Sequence, residues 1–309
     1  MISTQPVTTI RANNIEIAYE LYGNENAPVI MLIHGLGMPM TAWPMTMVNQ
    51  LVEAGYRVLR IDNRDQGQSE KLHHLSMPNM IWQVIKLKLG LQINPPYPLT
   101  ELMNDAIGVL DALNIEKAHL VGVSMGGMIS QLIAINAPER VKSLTSIMSS
   151  TSNPKLPKPS KEVSSHLMSG PASKSKEDIL NYHMKTWKLI GSPMFPTSDS
   201  DLKTYVQSLL DRGISAAGTQ RQMLAIIGTH NRYDELAKLS IPVQVIHGTA
   251  DPLIPISAGK ETAEAANAKL HVVEGMGHDL PLQIQPRICD WILEQVSSVE
   301  CEKETAAAM

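Results

Sequence analysis

Ser124 lies in Gly122-Val123-Ser124-Met125-Gly126, a G-x-S-x-G. The flanking glycines permit a sharp backbone turn that lifts the hydroxyl clear of its neighbours. A serine hydroxyl is a poor nucleophile until a base takes its proton, and that base must be held by a third group. For this kind of turn the expected chain order is serine, then Asp or Glu, then His. Asp251, in His247-Gly248-Thr249-Ala250-Asp251-Pro252, and His278, in Gly275-Met276-Gly277-His278-Asp279, occur in that order. Ser124, Asp251 and His278 are therefore the expected catalytic set, and the chemistry is acyl transfer through a covalent serine intermediate. Asp279 is the alternative acid, but an immediate neighbour of His278 is poorly placed to hold its ring.

Acyl transfer also needs donors aimed at the oxyanion that develops on the attacked carbonyl. The amide of Met125, just after the serine, is one candidate. The amide of Leu36, in His34-Gly35-Leu36-Gly37, is the other. Gly35, Met38, Leu253 and Ile254 flank these groups and are expected to line the substrate pocket, together with apolar residues of a later insertion. Most of the other histidines have plainer readings. His119, His247 and His271 fall in or beside strand-like runs, and His73, His74, His166, His183 and His230 fall in insertions. Cys289 and Cys301 form no C-x-x-C and no Cys/His cluster, so no metal site and no cofactor are expected.

These side chains need a scaffold that brings distant loops to one edge. Residues 28–33 form a continuous apolar run that ends at His34-Gly35. Such a run suits a strand buried on both faces, as in a parallel sheet. Strand-like runs at 15–22, 56–62, 118–123, 141–149, 243–247 and 269–274 alternate with helical spacing at 43–54, 99–113, 126–136, 257–267 and 286–296. That alternation predicts βαβ units and a doubly wound α/β sheet. Ser124, Asp251 and His278 each follow a strand, so all three fall at the edge where open α/β sheets place their ligands.

Two stretches break the alternation. Residues 72–98 are rich in Pro, Met and Lys. Residues 153–235 open on Asn153-Pro154-Lys155-Leu156-Pro157 and then show helical patterns at 178–190, 199–210 and 216–229. A structureless loop of that length is implausible, so a helical cap inserted in the core is expected. The core is then 1–152 with 236–296, the cap 153–235, and 297–309 a disordered tail.

The chain has 309 residues, long enough for one large α/β domain with an insertion. Its net charge is −4 and it has no Lys/Arg cluster, which argues against nucleic acid and anionic membrane partners. The longest apolar run is far below the ~18–20 residues of a membrane helix, and the first residues lack the pattern of a signal peptide. Few cysteines suit a reducing, cytoplasmic setting. The partner expected is a small-molecule ester. Monomer and homodimer both remain open.

Taken together, His34-Gly35-Leu36-Gly37, the turn at Ser124, Gly248-x-x-Asp251 and Gly277-His278 resemble the α/β-hydrolase superfamily over residues 15–296. Asp62-Asn63-Arg64-Asp65-Gln66-Gly67-Gln68-Ser69 is similar to that superfamily's D-x-R-G-x-G-x-S stretch, with Asp65 in place of the usual Gly. The Asp form resembles aclacinomycin methylesterase-like hydrolases. The resemblance implies a mostly parallel eight-stranded sheet, a helical cap after the sixth strand, and a nucleophile, acid and base at Ser124, Asp251 and His278. Asp62 and Arg64 read as a loop-bracing pair behind the site. The expected activity is hydrolysis of carboxylic esters with neutral, apolar acyl chains of small to medium size. Alternatives on the same three residues are an enol-lactonase, which would want a cap cation such as Lys185, Lys188, Arg212 or Arg221 facing the pocket, and a perhydrolase. The non-enzyme alternative is a ligand-binding receptor on a hydrolase fold.

Overall fold

Val29–Ile33 is apolar at every position and forms β3, buried throughout. Met31 and Ile33 pack on one side of the sheet and Ile30 and Leu32 on the other. That is the period-2 geometry of a strand covered on both faces. The computed structural model describes residues 8–307 except 77–78, 80–81, 84 and 87–88. Parts of the 72–98 stretch and residues 308–309 of the expected tail lie outside the described residues.

The sheet contains β1 (Thr8–Ala12), β2 (Ile15–Tyr22), β3, β4 (Arg57–Ile61), β5 (Ala118–Val123), β6 (Val141–Ile147), β7 (Val243–Gly248) and β8 (Lys269–Val273). Their order is β1-β2-β4-β3-β5-β6-β7-β8. β1 and β2 run antiparallel at one edge, and the rest are parallel. The helices include α1 (Met45–Glu53), α2 (Leu99–Ala112), α3 (Met125–Asn136), α4 (Lys161–Ser169), α5 (Lys176–Ile190), α6 (Asp199–Gly213), α7 (Ala216–Ile227), α8 (Tyr233–Leu236), α9 (Ile256–Ala265) and α10 (Gln285–Ala307). α2 and α3 cover one face of the sheet, through Leu102, Val109, Ile129 and Leu132. α1 and α10 cover the other, through Val48, Leu51, Ile288 and Ile292.

The insertion between β6 and β7 holds α4 to α8. Ser160, Ser175, Ser198 and Ser215 cap the first four of these helices, each side chain accepting from an amide three residues on. Such caps satisfy donors that no helical carbonyl can reach. α4 was not anticipated, because Val163 is its one buried residue and its apolar face is correspondingly faint. β1 was not anticipated either; it is an edge strand, mostly exposed.

The disordered tail expected over 297–309 requires correction, since α10 runs on to Ala307. Val296 and Val299 are buried, and Tyr56 Oη lies 3.0 Å from Ser297 Oγ. Glu300 accepts from Lys142 Nζ at 2.8 Å and meets His119 Nε2 at 3.0 Å. The polar composition of this stretch hid partners that lie far away in sequence. Among the described residues no helix is long and apolar enough to cross a membrane.

Candidate active site

Ser124 sits between β5 and α3 with φ 56° and ψ −118°, a backbone conformation rare outside glycine. Its neighbours explain how the turn is tolerated. A Cβ at Gly122 would overlap the Gly126 carbonyl, and one at Gly126 would overlap the Ile33 carbonyl. The Ser124 N–H donates to the Ile147 carbonyl at 2.9 Å, and Ser149 Oγ donates to the Ser124 carbonyl at 2.7 Å. The strained residue is thus held from both sides and its hydroxyl is left for other work.

The loops after β7 and β8 bring the remaining two residues to it. His278 Nε2 lies 3.0 Å from Ser124 Oγ. His278 Nδ1 lies 2.7 Å from Asp251 Oδ2. A carboxylate can only accept, so Nδ1 carries the proton and Nε2 faces the hydroxyl as an acceptor. Asp251 Oδ1 accepts from the Leu253 and Ile254 amides at 2.9 and 2.8 Å. Burial by itself would raise the Asp251 pKa; attraction to His278 once that ring takes a second proton, and hydrogen bonds from His247 and His278, outweigh it and hold the carboxyl well below the usual range. His247 was expected to be simple packing, yet its Nε2 lies 3.5 Å from Asp251 Oδ2 and 2.8 Å from the Ile254 carbonyl. Asp279 turns elsewhere: it accepts from Ser192 Oγ, and burial pushes its carboxyl pKa up.

The loop after β3 overhangs the serine. A Cβ at Gly35 would lie 3.1 Å from Ser124 Cβ. Gly35 N–H donates to His34 Nδ1 at 2.7 Å, and His34 stands edge-on to Trp43 at 5.6 Å. Burial and the nearby His278 push the His34 pKa down to about 3, which keeps its ring neutral. Among the described residues neither the Leu36 nor the Met125 amide has a protein acceptor. The expected pocket residues divide. Met38 and Leu253 are half-buried. Ile254 packs against the hydrophobic core, and the Met125 side chain is buried within it, so Met125 can offer the site its amide alone.

Asp62 and Arg64, expected as a loop-bracing pair behind the site, each hold the loop through partners of their own. Arg64 forks onto Asp105, at 2.6 and 2.7 Å, and also reaches Glu101. Asp62 accepts from the Met40 amide at 2.6 Å and pairs with Arg212 of α6 at 2.9 Å. Arg212 also reaches Glu20 at 3.1 Å. Asp65 pairs with Arg221 of α7 at 2.6 Å and accepts from Tyr97 Oη at 2.8 Å. Two of the cations considered for an acidic substrate are therefore bound to core carboxylates. A third, Lys188, pairs with Asp199 at the surface. Spacing could not reveal these partners, because every one lies outside its own element.

The comparisons with known proteins agree with this fold. Residues 28–283 match the family described as alpha/beta hydrolase fold. A rhodomycin D methylesterase from Streptomyces sp. (strain C5) is 28% identical over 310 residues, covering 90% of this chain and 94% of its own. A 3-oxoadipate enol-lactonase of Acinetobacter baylyi is 26% identical over 251 residues, 79% of each chain. The crystal structure of an esterase from Rhodococcus sp. ECU1013 superposes with a TM-score of 0.74 at 19% identity, covering 96% of this chain and 100% of its own. A serine turn between a parallel strand and a helix, an eight-stranded mostly parallel sheet and a match over most of the chain have one explanation: the protein belongs to the α/β hydrolase fold family.

Proposed function

We propose that the protein is a serine hydrolase of carboxylic esters, with Ser124 as nucleophile, His278 as base and Asp251 as the acid that orients it. The observation that carries this reading is the unbroken chain from Ser124 Oγ through His278 to Asp251, at 3.0 and 2.7 Å. Ser124 Oγ attacks the ester carbonyl carbon as its proton passes to His278 Nε2. The amides of Leu36 and Met125 receive the oxyanion. The tetrahedral adduct collapses, the C–O bond breaks, and the departing alkoxide takes the proton from His278. Water then gives a proton to His278 and attacks the acyl carbon, and Ser124 leaves with its proton restored.

The substrate class is an ester with an uncharged acyl group, in a pocket lined by Gly35, Met38, Leu253 and the cap. Two observations support neutrality: Arg212 and Arg221 are bound to buried carboxylates, and Lys188 is at the surface. A buried negative substrate group would find none of these three cations free to offset its desolvation. The methylesterase and enol-lactonase relatives are both named for cleavage of an ester linkage, open-chain or cyclic. The unit of function comprises the sheet core and the 153–235 cap, and the setting is the cytoplasm, which suits the buried thiol of Cys289. The test is labelling by a fluorophosphonate probe. Labelling of the parent and its loss in Ser124→Ala are expected; equal labelling of both overturns the assignment.

A further inference from the structure

The Gln222 side chain is buried completely, yet it belongs to the cap rather than to the sheet core. Its Oε1 accepts from the Gly37 N–H at 2.9 Å, and its Nε2 donates to the Arg64 carbonyl at 2.8 Å. Only one orientation of the amide can satisfy both partners, because an N–H needs an acceptor and a carbonyl needs a donor. The Gly37 amide it receives is one peptide beyond Leu36, whose N–H is the oxyanion donor in the reading above. Gly37 has φ +70°, and a Cβ there would lie 2.7 Å from Thr219 Oγ1, so the loop is also pressed against α7.

The contacts close into a ring. Asn63 Nδ2 donates to the His34 carbonyl at 3.1 Å, at the start of the oxyanion loop. One residue on, the Arg64 carbonyl receives Gln222, and Gln222 returns to Gly37 at the loop's end. The residue next to Gln222, Arg221, forks onto Asp65 at 2.6 and 2.8 Å. Gln66 adds three further bonds to α7 and its N-cap: Nε2 donates to Thr219 Oγ1 at 3.1 Å and to the Ser215 carbonyl at 3.2 Å, and Oε1 accepts from the Ser215 N–H at 3.0 Å. Asp65, where the sequence departs from the family's usual Gly, is thus the anchor that holds α7 in register with the loop.

We propose that Gln222 is a positioning residue for the oxyanion hole, acting through the Gly37 amide, and that α7 is a fixed buttress of the active site. This rests on the serine-hydrolase reading. An oxyanion donor works only when aimed at the charge that develops, and displacement by about 1 Å can cost 10²-fold in rate. Gln222 touches no reacting atom, so its loss should weaken the transition state more than ground-state binding.

The experiment compares Q222M and Q222E with the parent on a neutral ester, with rates expressed per active site titrated by fluorophosphonate. Q222M removes both hydrogen bonds at nearly constant volume. Its kcat is expected to fall about 10- to 100-fold with KM changed less than threefold. Binding of an alkylboronic acid, which places a negative oxygen in the same hole, is expected to weaken in proportion. Q222E in its protonated form can still accept from Gly37 and donate to Arg64, so its activity relative to the parent should recover as pH is lowered. Q222M with parental kcat per titrated site, or with KM raised and boronate affinity unchanged, overturns the proposal. If Q222M does not fold, Q222E decides: a parent-relative rate that stays low and flat with pH overturns it. The control is Ser124→Ala. Turnover retained there removes the serine reading itself, whereas an inactive Ser124→Ala beside a fully active Q222M removes only the role of Gln222.

Discussion

Asp65 and Arg221 meet in a two-point ion pair, 2.6 and 2.8 Å long, between the loop after β4 and a helix of the insertion. Both side chains are almost wholly buried. Burial raises the Asp65 pKa, but hydrogen bonds from Arg221, the Leu72 amide and Tyr97 outweigh it and hold the carboxyl below its usual range. Asp65 also sits at φ 70°, so Asp65→Gly would relieve roughly 1 kcal/mol of backbone strain. It would also leave Arg221 buried without that partner, a loss of about 3–5 kcal/mol. The second effect is larger. Asp65→Gly is expected to be less stable in urea unfolding by a few kcal/mol, despite restoring the family's common residue. Equal or greater stability would show that the pair contributes nothing net.

Replacement of the nucleophile should separate chemistry from stability. The Ser124 Oγ meets His278 at the surface of the site and is not part of the core. Ser124→Ala is expected to abolish ester turnover while its thermal unfolding midpoint stays within a few degrees of the parent, as for substitutions that remove no packing. Calorimetry beside the rate assay checks both halves. Residual turnover near the parental kcat would move the nucleophile elsewhere.

The two neighbouring acids should differ sharply. Asp251 holds His278 Nδ1 at 2.7 Å, whereas Asp279 bonds Ser192. Asp251→Asn is expected to lower kcat by about 10⁴-fold, the scale seen when a triad carboxylate becomes an amide that favours the wrong tautomer. Asp279→Asn is expected to cost less than about tenfold, since it disturbs the loop without unhooking the ring. Steady-state kinetics of both variants on one ester would reveal a reversed ranking if the geometry misleads.

His34 sets a pH dependence of stability. Its folded pKa, pushed down to about 3 by burial and by His278, lies below the ordinary value of 6.5. The unfolded chain therefore binds this proton first. The contribution is complete above about pH 6.5 and is lost as pH falls towards 3, at up to about 1.4 kcal/mol per pH unit. Asp65 and Asp251 add to the loss only nearer pH 4 and below, because their depressed carboxyls stabilise the fold above their unfolded pKa. Urea unfolding at pH 7 and pH 5 should show the parent weakened at pH 5 and His34→Gln weakened less. Identical slopes would remove His34 from the account.

Substrate charge is the remaining test of the pocket. Within a series of p-nitrophenyl esters, kcat/KM is expected to climb from acetate towards butyrate or hexanoate, each buried methylene adding about 0.8 kcal/mol until the cavity is filled. An acidic enol-lactone is expected to be turned over more slowly than the best neutral ester. Competition between the two in one reaction measures this directly, and a faster lactone would require a cation that Arg212 and Arg221 do not supply.

Much of the fold was legible because each element announces itself locally. An all-apolar run needs both faces covered, so Val29–Ile33, alternating with the later strand-like and helical stretches, declared a parallel sheet before any contact was known. The two glycines around Ser124 and the post-strand positions of Asp251 and His278 marked one sheet edge, and topology did the rest. What stayed hidden were pairings between charged or polar groups distant in the chain. Arg212 and Arg221 read in the sequence only as cap cations available to a pocket, and only packing of the cap against the 62–69 loop and β2 revealed Asp62, Glu20 and Asp65 as their partners. Gln222 and Ser192 carry no motif, and Glu300 lay in a polar stretch that seemed unstructured. Apolar periodicity is written along a single element. The partner of a buried charge or amide is decided only when two elements meet, because desolvation makes the pairing obligatory without making it local.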